Sequence, residues 1–182
     1  MIRHAISVLA LAAVVVMGAS CANNEKMKAT TATAGNPDEA FVTQLGHGSN
    51  AEVKLSEMAL SKSGDPKVRE FAQRMVTDHT KINKELTHLG HQLHLRVPSS
   101  PDGAHARAAS SMAKLHGGEF DRAYMAQMVS DHAETISLLQ DMSKNAKEPQ
   151  LRDWASKQIP TIQEHLDMAR QTQSSLTPAT GH

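Results

Sequence analysis

From residue 36 to residue 174 apolar side chains return every three or four positions, the period of a helix that buries one face. The clearest run is Val68, Ala72, Met75, His79, Ile82, Leu86, Leu89 and Leu93. An earlier segment gives Phe41, Leu45, Gly48, Glu52, Leu55 and Ala59. A later one gives Met125, Met128, His132, Thr135, Leu139 and Met142, flanked by Phe120, Tyr124, Val129 and Ile136. The last is less regular: Leu151, Ala155, Gln158, Ile162, His165 and Ala169, beside Trp154, Ile159 and Leu166.

Local signals bound these segments. Asn36, Pro37 and Asp38 supply an N-cap, a proline at the first helical position and an acid in the first turn, so a helix starts there and runs to about Lys62. Gly64 stops it, and Pro66 opens a second helix that lasts to about Leu93. Residues 96–104 carry Pro98, Pro101 and Gly103 and predict irregular chain, and the weakly helical stretch 104–115 belongs to a crossover that breaks at His116, Gly117 and Gly118. Two more helices follow, from Glu119 to about Lys144 and from near Pro149 to about Gln173, the second expected to kink at Pro160. Four long helices with two tight connections and one long middle connection predict an all-α, up-down-up-down four-helix bundle of ferritin-like type over residues 36–174.

Each apolar stripe is interrupted near its middle by a residue able to bind a metal: Glu52, His79, His132 and His165. Counted from the two short loops at about 1.5 Å per residue, His79 and His132 come out level, Glu52 roughly 4 Å nearer the loops and His165 roughly 6 Å further away. Those heights let four side chains share one site. Asp78, Asp131 and Glu164 each precede one of the histidines, and although adjacent helical residues diverge by about 100°, such an acid can lean across to another helix and orient an imidazole there. Tyr124 lies two turns before His132 on nearly the same face, placed to cap the cluster. Three histidines and a glutamate suit iron, zinc, manganese or copper(II). They also suit a buried hydrogen-bond network with no metal at all.

Other chemistries find less support. Carboxylate-bridged di-iron sites need two Glu-x-x-His strings, and only Glu85 with His88 supplies one, so an ordinary ferroxidase does not fit. His88, His91 and His94 step along the end of the second helix as a solvated face, and Met125 and Met128 occupy packing positions. No phosphate loop, nucleophile arrangement or zinc-ribbon spacing is present. Nineteen Lys and Arg balance nineteen Asp and Glu, and aromatic residues make up 3% of the chain, a combination that argues against a nucleic-acid partner.

Residues 1–21 read as a signal peptide, with Arg3 ahead of an apolar run too short to span a bilayer. Cys21, the sole cysteine, stands where the lipobox of bacterial lipoproteins places its lipidated residue, although Gly18 departs from that pattern. Lipidation would make the membrane a partner and place the protein on the periplasmic side of the cell envelope, as an outer-membrane lipoprotein. Residues 22–35 read as a flexible tether and 175–182 as a disordered tail.

The ordered set Ala51 and Glu52, Met75 with Asp78 and His79, Phe120 and Asp121 with Tyr124, His132, and Pro160 with His165 resembles the bacterial domain of unknown function 4142 family, often labelled outer-membrane proteins. The resemblance covers about residues 38–172 and implies an exported ferritin-like bundle with no agreed reaction, cofactor or protein partner. A related helical family with a Met-x-x-His-His string handles copper; here Asp78 and Asp131 replace the first histidine of that pair. Two functions remain open: transition-metal binding in the bundle core for metal handling or stress protection, or a non-catalytic envelope module whose histidines only form hydrogen bonds. For the anchor, Cys21→Ala is expected to move the protein from the membrane to the soluble fraction; unchanged fractionation argues against lipidation.

Overall fold

A computed structural model describes residues 36–176, leaving the expected leader, Cys21, the tether and residues 177–182 outside the described residues. The described chain forms five α-helices: α1 (Pro37–Lys62), α2 (Pro66–Gln92), α3 (Gly103–Met112), α4 (Gly117–Asn145) and α5 (Pro149–Ser175). No strand occurs among the described residues. None of the described helices is long and apolar enough to cross a membrane.

The helix starts follow the local chemistry. Asn36 Oδ1 accepts from Asp38 N at 3.2 Å, and Asp65 Oδ1 accepts from Lys67 N at 2.8 Å and Val68 N at 3.2 Å, with proline next in the chain each time. The stretch expected to be only weakly helical is a true helix, α3, because Asp102 Oδ1 caps it by accepting from His105 N at 2.9 Å. His116 and the two following glycines open α4 instead of merely breaking the crossover; Gly117 takes φ +50, a left-handed backbone that glycine adopts without a Cβ clash. At the other end α5 continues unbroken through Pro160 to Ser175, one residue into the expected tail.

Each long helix packs against two others. α1 lies against α2 and α4, and α5 against α4 and α2, while α3 covers part of α1 and α4. The crossover after α2 presses close on both α1 and α2. A Cβ on Gly90 would lie 2.5 Å from Val97 Cγ2, and one on Gly46 would lie 2.9 Å from Pro98 Cδ, so glycine is what lets the chain return there.

The buried face of α1 is rotated by one residue from the predicted stripe at its start, running through Val42, Leu45, Ser49, Glu52, Leu55, Ser56 and Ala59. Phe41 and Gly48 stay only partly covered. Two serines on the inner face weaken the apolar signal of this helix, which is why simple period-counting misplaced it.

The core divides into two apolar halves. One holds Leu55, Phe71, Met75, Met112, Phe120, Tyr124, Met125 and Met128; the other holds Val42, Ile82, Leu86, Leu89, Leu139, Met142, Leu151 and Ile162. On every long helix the stripe-breaking residue lies in sequence between its contributions to the two halves.

Asp38, buried to 1% exposure, joins the two hairpins: its carboxylate accepts from Lys147 N at 2.7 Å and Glu148 N at 2.9 Å in the α4–α5 loop. Asp38→Ala strands both amides and is expected to cost about 2–3 kcal/mol in urea unfolding. A loss below about 0.5 kcal/mol would mean that water replaces the carboxylate there.

Candidate metal centre

α1, α2, α4 and α5 each deliver one polar side chain to the boundary between the two core halves. Glu52 is 2% exposed, His79 1%, and His132 and His165 are fully buried. The imidazole rings of His79, His132 and His165 form a triangle with centroid separations of 5.4, 5.4 and 5.5 Å. One nitrogen from each lies within 4.8 Å of one from either of the others. The three rings meet despite the height differences expected from residue counting.

Every ring has one nitrogen held. His132 Nδ1 donates to the Met128 carbonyl at 2.8 Å, so in the neutral ring Nε2 carries the lone pair. His165 Nε2 donates to Asp78 Oδ2 at 2.9 Å, which leaves Nδ1 as the lone-pair atom. His79 Nδ1 lies 2.8 Å from Glu52 Oε2 and 3.1 Å from Ser49 Oγ, and an ionised carboxylate there draws the proton to Nδ1 and frees Nε2.

The remaining atoms have less: Glu52 Oε1 is 3.5 Å from His132 Nδ1, outside hydrogen-bond geometry. Glu52 Oε1, His79 Nε2, His132 Nε2 and His165 Nδ1 are buried without a hydrogen-bond partner. Burial alone would raise the Glu52 carboxyl, but the attraction of His79, His132 and His165 prevails and holds it at about 2. Burial pushes His132 below its usual value, and it pushes His165 down to about 4 against the opposing pull of Asp78. Both rings are therefore neutral at pH 7, the form that offers a lone pair to a metal.

The expected supporting residues divide. Asp78 meets another helix's histidine, and burial, which would raise its carboxyl, is outweighed by bonds from Arg74 and His165 that hold it low. Glu164, expected beside a histidine, instead has its carboxylate 3.5 Å from Arg74 Nη2 and reaches the His165 ring only through Arg74 and Asp78. Asp131 bonds no histidine either; its Oδ1 accepts from Gln127 Nε2 at 2.8 Å. Burial, with Glu52 nearby, raises its carboxyl to about 6. The Tyr124 hydroxyl lies 2.8 Å from Ser56 Oγ, which in turn donates to the Glu52 carbonyl at 2.6 Å, so it braces the Glu52 backbone and not the carboxylate. Burial pushes the Tyr124 phenol well above its usual value.

Sequence reasoning missed Ser49 and Ser56. Both lie within one helical turn of Glu52, three residues before it and four after, a spacing that marks them as neighbours on the same face.

The donor set fits a transition metal. Imidazole nitrogens suit zinc, copper and iron, and bonds of about 2.1 Å would need the trio to close up from its present spacing. Side chains held at only one ring nitrogen can make that adjustment. Glu52 is positioned by His79, with Oε1 left over at the edge of the trio.

The sequence pattern described as domain of unknown function 4142 matches residues 23–172. The chain belongs to that family. No curated protein matches this member of the DUF4142 family in sequence. Among solved structures it is similar to CopM in the Cu(II)-bound form, with a TM-score of 0.64 at 19% identity over 77% of this chain and 97% of that one. CopM in an Ag-bound form gives 0.63 at 19% identity, covering 78% and 98%. A DUF305 protein described as secreted, from Streptomyces coelicolor, gives 0.66 at 13% identity, covering 80% and 96%. At these identities the likeness is one of fold.

The raised Asp131 carboxyl makes a signed prediction for the metal-free protein. Its folded value lies above the unfolded one, so ionising it disfavours the fold as pH rises from about 4 through about 6. Asp131→Asn, which keeps an oxygen for Gln127, is expected to gain about 1–2 kcal/mol over the parent at pH 7 and to lose that advantage below pH 4, after discounting for partial solvent contact. A stability difference that does not change with pH would contradict this.

Proposed function

We propose that this chain is an exported four-helix bundle of ferritin-like type that binds a transition metal ion between its two core halves. His79 Nε2, His132 Nε2 and His165 Nδ1 supply the donors, with Glu52 beside them. The observation that carries the reading is that four of the six buried side-chain atoms without a hydrogen-bond partner among the described residues belong to Glu52, His79, His132 and His165, the others being on Asn83 and Asp121. An unmade hydrogen bond in the interior costs about 1–3 kcal/mol per group, so a network serving no ligand would leave the centre of the fold with several such penalties. Two cavities border Glu52, one of about 10 Å³ shared with His79 and one of about 100 Å³ beside Asp131, but neither is lined by His132 or His165, so water in them leaves the free nitrogens of those two rings unserved.

Copper(II) is the ion we favour, with zinc and iron next and manganese last. Nitrogen-rich sites bind divalent ions most strongly at copper in the first-row order, and the copper- and silver-bound forms of CopM share the fold. The role is metal handling or stress protection in the cell envelope. The leader-like residues 1–21 support export, and Cys21 would fasten the protein to the periplasmic side of the outer membrane. The secreted DUF305 neighbour in fold accords with a place outside the cytoplasm.

Metal analysis of untagged protein is the direct test. About one equivalent of metal in the parent and little in His79→Ala/His132→Ala supports the reading; equal and negligible metal in both leaves a bundle whose histidines serve only as hydrogen-bonding groups. Copper(II) at about a hundred times its dissociation constant should add about 2–3 kcal/mol to stability, lost again on adding a chelator.

A further inference from the structure

Glu52 lines two cavities. One is the small space it shares with His79. The other, about 100 Å³, lies between α1 and α4 under the start of α3, and is bordered by Gln44, Gly48, Glu52, His105, Asp131 and Glu134. Gln44 and His105 also border an open groove of about 690 Å³ between α1 and α3, to which Glu39 and Asp102 contribute. Gln44 and His105 line both spaces, so the open groove and the cavity beside Glu52 are neighbours.

The walls are acidic. Five carboxylates line the combined space, with histidine but no lysine or arginine among its lining residues. Glu52, which borders the inner cavity, is 2% exposed, and its Oε1 makes no hydrogen bond among the described residues, with His132 Nδ1 3.5 Å away. His105 stands at the junction with its ring held by Asp102, Nδ1 to Oδ1 at 2.8 Å. The α2–α5 seam is bridged by contrast: Arg74 lies against Asp78, the partner of His165, and both Trp154 Nε1 and Gln158 Nε2 donate to Glu85 Oε2, at 3.3 and 3.2 Å.

We propose that this acid-walled passage is the route by which a divalent cation reaches the three histidines, with Asp131 and Glu134 drawing it inward and Glu52 passing it on. The proposal rests on the metal-binding function above and adds where the ion travels. Clefts lined by charge of one sign speed the arrival of the opposite charge, and they do so less as salt rises.

The single tryptophan, Trp154, borders the same small cavity as Glu52 and His79, so quenching of its fluorescence by Cu(II) reports arrival at the cluster. Gly48→Leu tests the route by obstruction: Gly48 lines the passage, and a Cβ there meets nothing within 4 Å. In stopped-flow mixing of the whole chain with Cu(II), Gly48→Leu is expected to slow uptake and chelator-driven release by the same factor, about tenfold, at unchanged stoichiometry. Asp131→Asn/Glu134→Gln is expected to slow uptake about fivefold at low salt and to flatten its salt dependence. This second variant keeps the proposal testable if the leucine disturbs folding. Uptake within twofold of the parent in both variants overturns the passage while leaving the metal site standing. Faster uptake in Arg74→Ala, with Gly48→Leu unchanged, overturns it too and moves the route to the α2–α5 seam. A parent chain that takes up no Cu(II) overturns the site and the route together.

Discussion

The fold is organised around the need to satisfy four buried polar side chains at one level. Apolar contacts are interchangeable to within a methylene or two, but an imidazole in the interior has a direction: one nitrogen must give a proton and the other must receive something. The carbonyl of Met128, the carboxylate of Asp78 and the pair of Ser49 and Glu52 fix the proton-bearing nitrogens of His132, His165 and His79. Once those are set, helix register is set with them, because sliding any long helix by one residue would carry its polar group into an apolar half.

That constraint explains why the support around the cluster is unequal. His165 is tied outward, through Asp78 and Arg74 to Glu164 near the solvent, while His79 and His132 are tied inward to Glu52 and to helix backbone. Asp131 belongs to neither chain of contacts. Its carboxyl sits near Glu52 with Gln127 as its one side-chain hydrogen-bond partner among the described residues, an arrangement that costs stability when the group is charged and that a passage for cations would use. Its electrostatic cost and its proposed use come from the same placement.

Much of this was legible in the chain. The four interruptions stood out because each broke a three-four period that was otherwise apolar, and the helix starts at Pro37, Pro66 and Pro149 were marked by proline at the first position. What stayed hidden depends on rotation and on long-range partners. The inner face of α1 was obscured by Ser49 and Ser56, and the choice of Arg74 for Glu164 or Gln127 for Asp131 depends on side-chain direction at an interface, which spacing along one helix does not encode. Asp38 shows the same limit: its position at a helix start accounts for an acid there, but its bonds span 109 and 110 residues to the far hairpin.

The two halves of the core also differ in material. Four methionines, Met75, Met112, Met125 and Met128, sit with Phe71, Phe120 and Tyr124 on one side of the polar level, and the other side is mostly leucine, isoleucine and valine with Met142 alone. Thioethers are pliant and accept an oxygen atom, which makes a buried side chain polar; branched hydrocarbons are stiff and inert. Under oxidative stress the molecule should therefore wear from one end, softening where sulfur is dense while the hydrocarbon end keeps its shape.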